Sequence, residues 1–396
     1  MIMINFCFDY VIDQANNIIW PNGVASQAPS LEKLVADRAT WSTVAPWTDY
    51  PRILDYLRDE GVSYRCHLVD SAPLSSVYPI NVNWFDHDQD YFALISQQAL
   101  HRVRQNQIKI LLLYSEGDNP WLIQQRLKQL CASYCVDFAQ VHFVSANSSA
   151  KHIENFHYFD DDNVIYYRSQ LKNKPLSWHD HPRSKKMTLL SRMHKSWRAN
   201  FCSRFWQQQF HQHSYFSYKI NELDQDIDPL HSELKSSCVD QFLAVCPFTA
   251  DAHSDQQHNF YGTRVDEHFN NAYWNCVLET HINFEDNIAG VFLSEKTWKP
   301  IAQAQPFVVL GCAGTLDLLQ QQGYKTFGTW IDESYDSIPN VSQRFAKVWE
   351  VVCYLNNLSF EELHQLHLQV QSVVQHNQQL YWSSKASVLQ QLFEEL

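Results

Sequence analysis

Glycine is scarce in this chain, with 9 residues in 396. Neither G-x-G-x-x-G nor G-x-x-x-x-G-K occurs, which removes the simplest glycine-cradled dinucleotide and P-loop sites. Paired C-x-x-C motifs are missing too. The ten cysteines are scattered along the chain, and although Cys131 and Cys135 could share a helical face, no His or Cys neighbours complete a ligand set. They read as reduced, mostly buried thiols, and no metal site is expected. No apolar run approaches the roughly 18 residues a bilayer-spanning helix needs. Met1 to Tyr10 lacks the basic leader and cleavage site of a signal peptide, so the expected location is the cytoplasm, with peripheral membrane contact left open.

Apolar residues make up 45% of the chain and charged ones 18%, enough to build cores and too little charge for a disordered chain. A length of 396 residues suits two domains of ordinary size. The formal charge of −13 disfavours an extended grip on nucleic acid, which depends on neutralising many phosphates. Any anionic ligand should therefore be small and met by a local basic cluster. Aromatic residues are abundant at 14%, and composition favours the core over sugar-lining duty for most of them.

The first half alternates apolar runs with helical patterns. Strands are expected at Ile4 to Phe8, Val62 to Val69, Ile108 to Tyr114, Val141 to Val144 and Val164 to Tyr167, with helices at Tyr50 to Asp59, Asp90 to Arg104 and Trp121 to Tyr134. The polar, proline-containing stretch from Ser169 to Lys186 reads as a linker. A second set follows, with strands at Lys186 to Leu190, Tyr215 to Ile220 and Phe307 to Leu310 and a helix at Lys195 to Gln209. Asn221 to Gly262 reads as a polar excursion with one short helix, and helices at Val341 to Leu355, Phe360 to His376 and Lys385 to Glu395 close the chain. The expected division is residues 1–180, residues 181–376 and a terminal helix, 377–396, that could pack back on the first domain.

The densest chemistry lies in Ser294-Glu295-Lys296-Thr297-Trp298-Lys299-Pro300-Ile301. S-E-K-T can open a helix whose unpaired amides favour an anion, with Lys296 adding charge. Glu295 is then placed to accept hydrogen bonds from ribose hydroxyls while the lysine meets a diphosphate. The plainer alternative is a capped surface helix with an ion pair.

This segment, the Pro306-Phe307-x-x-x-Gly311 turn, the later Gly323-Tyr324-Lys325-Thr326-Phe327 and the Asp332-Glu333-Ser334-Tyr335-Asp336 string resemble bacterial and phage glycosyltransferase-like proteins of GT-B type. S-E-K is also similar to the [TS]-E-K motif of the inverting α-1,3-fucosyltransferases. Upstream, Leu190-Ser191-Arg192 with Arg198 resembles the L-N-R-x-x-x-x-R element that begins the donor domain of such enzymes, with Ser191 where Asn is common. The resemblance covers about Lys186 to Arg344. It implies an α/β protein of two Rossmann-like, doubly wound domains facing a central cleft. It also implies transfer of a sugar from a nucleotide diphosphate to a glycan or other hydroxyl acceptor, with inversion and without a metal or other cofactor. Donor-binding residues by this resemblance are Arg192, Lys195, Arg198, Glu279, Ser294, Glu295, Lys296 and Lys299, with the arginines on the diphosphate.

An inverting transferase needs a base near the acceptor hydroxyl. Glu116, in the turn after the clearest strand of the first half, is the candidate, with Asp118 and Asp9 behind it and turn or helix capping as the alternative for all three. Asp160-Asp161-Asp162 contains a D-x-D pattern but reads as a turn, His179 and His181 as solvated imidazoles of the linker. The acidic 332–336 string could hold a turn or reach the base or sugar. Two rival functions stay open: a transferase acting on modified DNA bases, and a non-catalytic nucleotide- or sugar-binding relative.

Overall fold

The computed structural model describes residues 3–8, 11–12, 17–19, 25–27, 52–82, 88, 90–93, 95–114, 116–171, 175–191, 194–220, 230–250, 264–282, 290–383 and 385–394. The chain is α/β and divides into two units: Met1–Asp161 with Ser384–Leu396, and Asp162–Ser383. The division falls earlier than residue 180, and the last helix is grouped with the first unit.

In the first unit the strands are β1 (Ile4–Phe8), β2 (Val11–Ile12), β3 (Asn17–Ile19), β4 (Ala25–Gln27), β5 (Tyr64–Leu68), β6 (Ser76–Val82), β7 (Ile108–Tyr114), β8 (Val141–Ser145) and β9 (Phe156–Tyr158). Helices α1 (Arg52–Asp59), α2 (Gln97–Arg104) and α3 (Pro120–Ser133) intervene, and α4 (Asp161–Gln170) starts at the boundary. Six strands form one parallel sheet in the order β5-β1-β6-β7-β8-β9, while β2, β3 and β4 make a small antiparallel sheet. The long runs I-K-I-L-L-L-Y and V-H-F-V-S suit central strands covered on both faces. Helix α3 begins where Asn119 accepts from the amides of Trp121 and Leu122 and Pro120 fills the first helical position.

The second unit repeats the plan with a smaller sheet. Strands β10 (Lys185–Ser191), β11 (Ser214–Tyr218), β12 (Ala272–Leu278) and β13 (Phe307–Leu310) run parallel in the order β11-β10-β12-β13. Its further helices are α5 (Ser196–Gln207), α6 (Val239–Ala244), α7 (Asp266–Asn271), α8 (Glu295–Ala302), α9 (Thr315–Gln321), α10 (Val341–Asn357), α11 (Phe360–Gln369) and α12 (Gln371–Tyr381). Helix α13 (Ala386–Glu394) returns to the first unit, where Phe393 meets Phe6 edge-on at 5.5 Å and the Lys385 amide donates to Glu60 at 2.8 Å. Both parallel sheets are Rossmann-like. In each, the chain leaves the first strand to one side and resumes on the other, so the order reverses between β1 and β6 and again between β10 and β12.

Several expectations differ from what folds. Val164 to Tyr167 lies inside α4, not in a strand. Its β-branched and aromatic residues favour a pleated surface, but burial of Val164 and Tyr166 decides the element. The Asp160–Asp162 run therefore enters a helix after β9. Helix α2 starts at Gln97, capped by Ser96, rather than at Asp90, whose carboxylate instead accepts from the amides of Phe92 and Ala93. The helix expected over 360–376 is two helices joined at Val370. Strand β6, S-V-Y-P-I-N-V, was hidden by its proline.

The first sheet holds a pH-sensitive imidazole, that of His142. His142 Nδ1 and His157 Nε2 lie 3.0 Å apart on β8 and β9, both buried. Burial, then the charges of Lys109 and His157, lower the His142 imidazole to about 4. Because the unfolded chain takes up this proton first, near pH 6.5, stability should fall as pH drops from about 6.5 toward 4. The slope from this group is at most about 1.4 kcal/mol per pH unit. Urea midpoints between pH 7 and 5 should decline less in His142→Leu than in the parent; identical slopes would refute the assignment.

Candidate functional site

The carboxyl ends of β10, β11 and β12 open into a cavity of about 450 Å³ at the point where strand order reverses. Such a switch point leaves a crevice, because helices on either side of it diverge from the strand ends. Ser191 ends β10 opposite Tyr218, which ends β11, and the Lys219 amide donates to the Ser191 carbonyl at 3.2 Å. Tyr218 also exchanges backbone hydrogen bonds of 2.9 Å in both directions with Phe248. That bridge brings the segment Cys246–Ala250 into the lining, beside Val265 and Phe269. The other wall carries Glu295, Lys296 and Lys299.

This polar wall is built around a carboxylate that does not itself line the cavity. Glu279, fully buried just beyond β12, accepts from the Thr280 amide at 2.9 Å, the Ser294 amide at 3.2 Å, the Ser294 hydroxyl at 2.5 Å and the Thr297 hydroxyl at 2.5 Å. It thus pins the first turn of α8 to the sheet. Gly311 allows this approach, since a Cβ there would stand 3.4 Å from Glu279 Cγ and 2.8 Å from the Thr315 hydroxyl. On the opposite side, Arg198 Nη2 donates to the carbonyls of Leu278 and Glu279. Arg198 is 1% exposed, and burial lowers its pKa against the opposing charges of Glu279 and Glu295.

Ser294 caps α8 through the Lys296 amide, and the Glu295 amide donates to Asp162 at 3.2 Å. The Thr297 amide goes back to the Ser294 carbonyl at 3.1 Å. These amides of α8 are already satisfied by the protein, so the expectation that they receive an anion is corrected. What this turn offers a ligand is side chains. Lys296 Nζ is held at 3.1 Å from the Thr280 hydroxyl, 3.3 Å from the Ser294 hydroxyl and 3.2 Å from Glu295. The Glu295 side chain is one-fifth exposed. Burial works to raise its pKa, but the charges of Lys296 and Lys299, the Lys296 hydrogen bond and the charge of Arg198 outweigh it and hold it at about 2. Glu295 is therefore an anion at neutral pH, able only to accept hydrogen bonds.

Helix α5 starts differently. Its cap position, Lys195, makes no side-chain cap, and the Ser196 hydroxyl is buried without a hydrogen-bond partner among the described residues. The third residue of this helix is Arg198, so its first turn lies at the carboxyl end of β12.

The predicted donor residues thus fall into groups. Glu295, Lys296 and Lys299 face the cavity; Ser294 and Glu279 hold their turn in place; Arg198 braces the strand end through its carbonyls and does not line the cavity. Lys195 precedes α5 and is half-buried. Arg192 lies outside the described residues, as does Asp9. In the first unit, Glu116 is half-buried just past β7, and Asp118 accepts from the Tyr114 hydroxyl.

The remaining motif strings serve the fold. Asp336 caps α9 through the amides of Leu316 and Asp317, at 2.8 and 3.0 Å, and Glu333 accepts from the Phe327 amide at 2.7 Å. Lys325 pairs its amide and carbonyl with Asn377, while Phe327 packs edge-on against Trp274 and Phe307. Among the described residues no group of three or more His, Cys, Asp or Glu is placed to hold a metal, and no helix is long and apolar enough to cross a membrane. Thr280, Ser217, Lys219 and Phe248–Thr249 were not singled out from sequence, and Asp162 only as part of a D-x-D run read as a turn. Only Ser217 and Lys219 carried a usable signal, as polar residues at the carboxyl end of an expected strand.

No protein-family model matches the chain, and no curated protein or solved structure matches it.

Proposed function

We propose that the chain is a glycosyltransferase of GT-B type, moving a sugar from a nucleoside diphosphate donor to a hydroxyl acceptor. The observation that carries the reading is the pairing, on one wall of the switch-point cavity, of an ionised Glu295 with the ammonium of Lys296. A carboxylate locked in its charged form suits the two hydroxyls of a ribose, and an adjacent cation suits the phosphates attached to it. Lys299 and Lys219 add positive charge to the lining, so a chain of net charge −13 presents a locally cationic site.

In the reaction, an acceptor oxygen forms a bond to the anomeric carbon as its proton passes to a base, for which Glu116 is the candidate. The bond from the anomeric carbon to the phosphate oxygen breaks, and its electron pair leaves with the nucleoside diphosphate. Lys296 and Lys299 stabilise that departing charge. Inversion at the anomeric carbon follows from a single displacement of this kind.

A thermal-shift panel of nucleosides, nucleoside monophosphates and nucleoside diphosphates tests the donor assignment. At about 100 times Kd a diphosphate should stabilise the protein by about 2.7 kcal/mol, and the matching nucleoside far less. Product analysis with the cognate nucleotide sugar then reads transfer. A panel in which no nucleoside diphosphate raises the melting temperature would sink the proposal, while diphosphate binding without hydrolysis or transfer across many acceptors would leave a binding module instead.

A further inference from the structure

On the carboxyl side of β7 the first unit carries a turn, braced at Gly117, Asp118 and Asn119, that leads to two exposed apolar side chains. Asp118 is tied to the Tyr114 hydroxyl, and the Gly117 carbonyl accepts from the Asn147 side chain at 3.0 Å. Asn147 is fully buried, its own oxygen accepting from the Ser149 amide and hydroxyl at 3.0 and 2.8 Å. Asn119 fixes the next step by capping α3. Strand end, turn and helix start are thereby held from three directions. On this fixed base Trp121 and Leu122 are each 44% exposed. Among the described residues the Trp121 indole, like that of Trp330, has no ring or cation neighbour, whereas Trp178, Trp274, Trp298, Trp349 and Trp382 all pack against other rings.

We propose that Trp121 is a stacking platform for a saccharide acceptor, with Glu116 five positions before it at the head of the same turn; this rests on the transferase reading above. A pyranose has one face of C–H bonds with slight positive charge, which complements the electron-rich face of an indole, and a rim of hydroxyls that donate to carboxylates. The turn offers both features within six residues, Glu116 and Asp118 preceding Trp121. Other occupants fit worse on physical grounds. A lipid chain would bring hydrocarbon against two acidic residues of the turn and desolvate them. Nucleic acid would bring phosphates against Glu116 and Asp118 in a chain of net charge −13. A rigid aromatic also suits weak-ligand binding, because no side-chain or backbone ordering opposes it.

The test uses the full chain on an array of defined neutral and amino-sugar oligosaccharides, followed by calorimetry with the best binder. Trp121→Ala should weaken binding at least about tenfold, as expected for loss of an aromatic anchor, and Trp121→Phe should keep most of it. Both variants should retain the wild-type melting-temperature rise with nucleoside diphosphate. The proposal is overturned if no oligosaccharide binds, if Trp121→Ala binds as the parent does, or if Trp121 instead governs binding to phospholipid vesicles or duplex DNA. Failure of the donor reading shows separately, as absence of a nucleotide-induced shift, which the array does not measure.

Discussion

Glu279→Ala should lower the unfolding free energy by at least about 3 kcal/mol, because one buried carboxylate serves as acceptor for several buried donors at about 1–3 kcal/mol each. The carboxylate accepts from Thr280, Ser294 and Thr297 in a fully buried position, and Arg198 stands across the same strand end. Deleting it strands two amides and two hydroxyls and removes the carboxylate that does most to favour the charge on the Arg198 guanidinium. Each orphaned donor adds its own desolvation penalty of about 1–3 kcal/mol unless water enters. Urea denaturation of the full chain reads the loss. Glu279→Gln keeps the shape and two acceptor lone pairs, so it should lose less stability, yet its nucleotide affinity should still fall because the α8 turn is no longer drawn onto the sheet. A Glu279→Ala protein with the parent's urea midpoint would refute the pinning role.

Lys296→Ala should weaken nucleoside diphosphate binding by about 10–100-fold, as charge-assisted hydrogen bonds contribute about 1.5–3 kcal/mol each. Affinity for the corresponding nucleoside should change little. The side chain is only partly buried, and its partners Thr280 and Glu295 keep other contacts or solvent access, so the fold should survive. Without the ammonium, burial pushes the Glu295 carboxyl back upward, though Lys299 and Arg198 still hold it toward the anion. Calorimetry with diphosphate and nucleoside in parallel decides the matter, and equal losses for both would show that Lys296 does not address phosphate. Lys347, a partly exposed partner of Asp332 and Glu350, is a suitable control because such surface pairs contribute little. Arg198 behaves differently from Lys296 in this scheme. Buried at 1% exposure and bonded to strand-end carbonyls, it belongs with Glu279 as a brace whose removal harms the fold first.

The strands with long apolar runs were legible because a strand covered on both faces needs no alternation. Ile108–Tyr114 and Phe307–Leu310 coincide with their expected bounds for that reason. Val164–Tyr167 misled because its residues suit a strand locally while tertiary burial places them in α4. The cluster Ser294-Glu295-Lys296 could be picked out by residue type, but its anchor could not. Glu279 and Ser294 are fifteen positions apart, and nothing in their spacing declares that one carboxylate receives the other's amide and hydroxyl. Equally, Arg198 and Lys296 look interchangeable as cations in the sequence, and only burial separates the brace from the cavity-facing charge.

Composition and patterning by themselves determined an α/β chain with two sets of strands and helices, a negative net charge, and no glycine-rich phosphate cradle. These are local or summed properties, and neighbours in the chain suffice to set them. The order of strands, the cavity at the reversal between β10 and β12, and the satisfaction of α8's amides by Asp162 and Ser294 were decided only in three dimensions. Each depends on which distant groups meet once water is excluded, and a buried donor takes whichever acceptor the packing brings within reach.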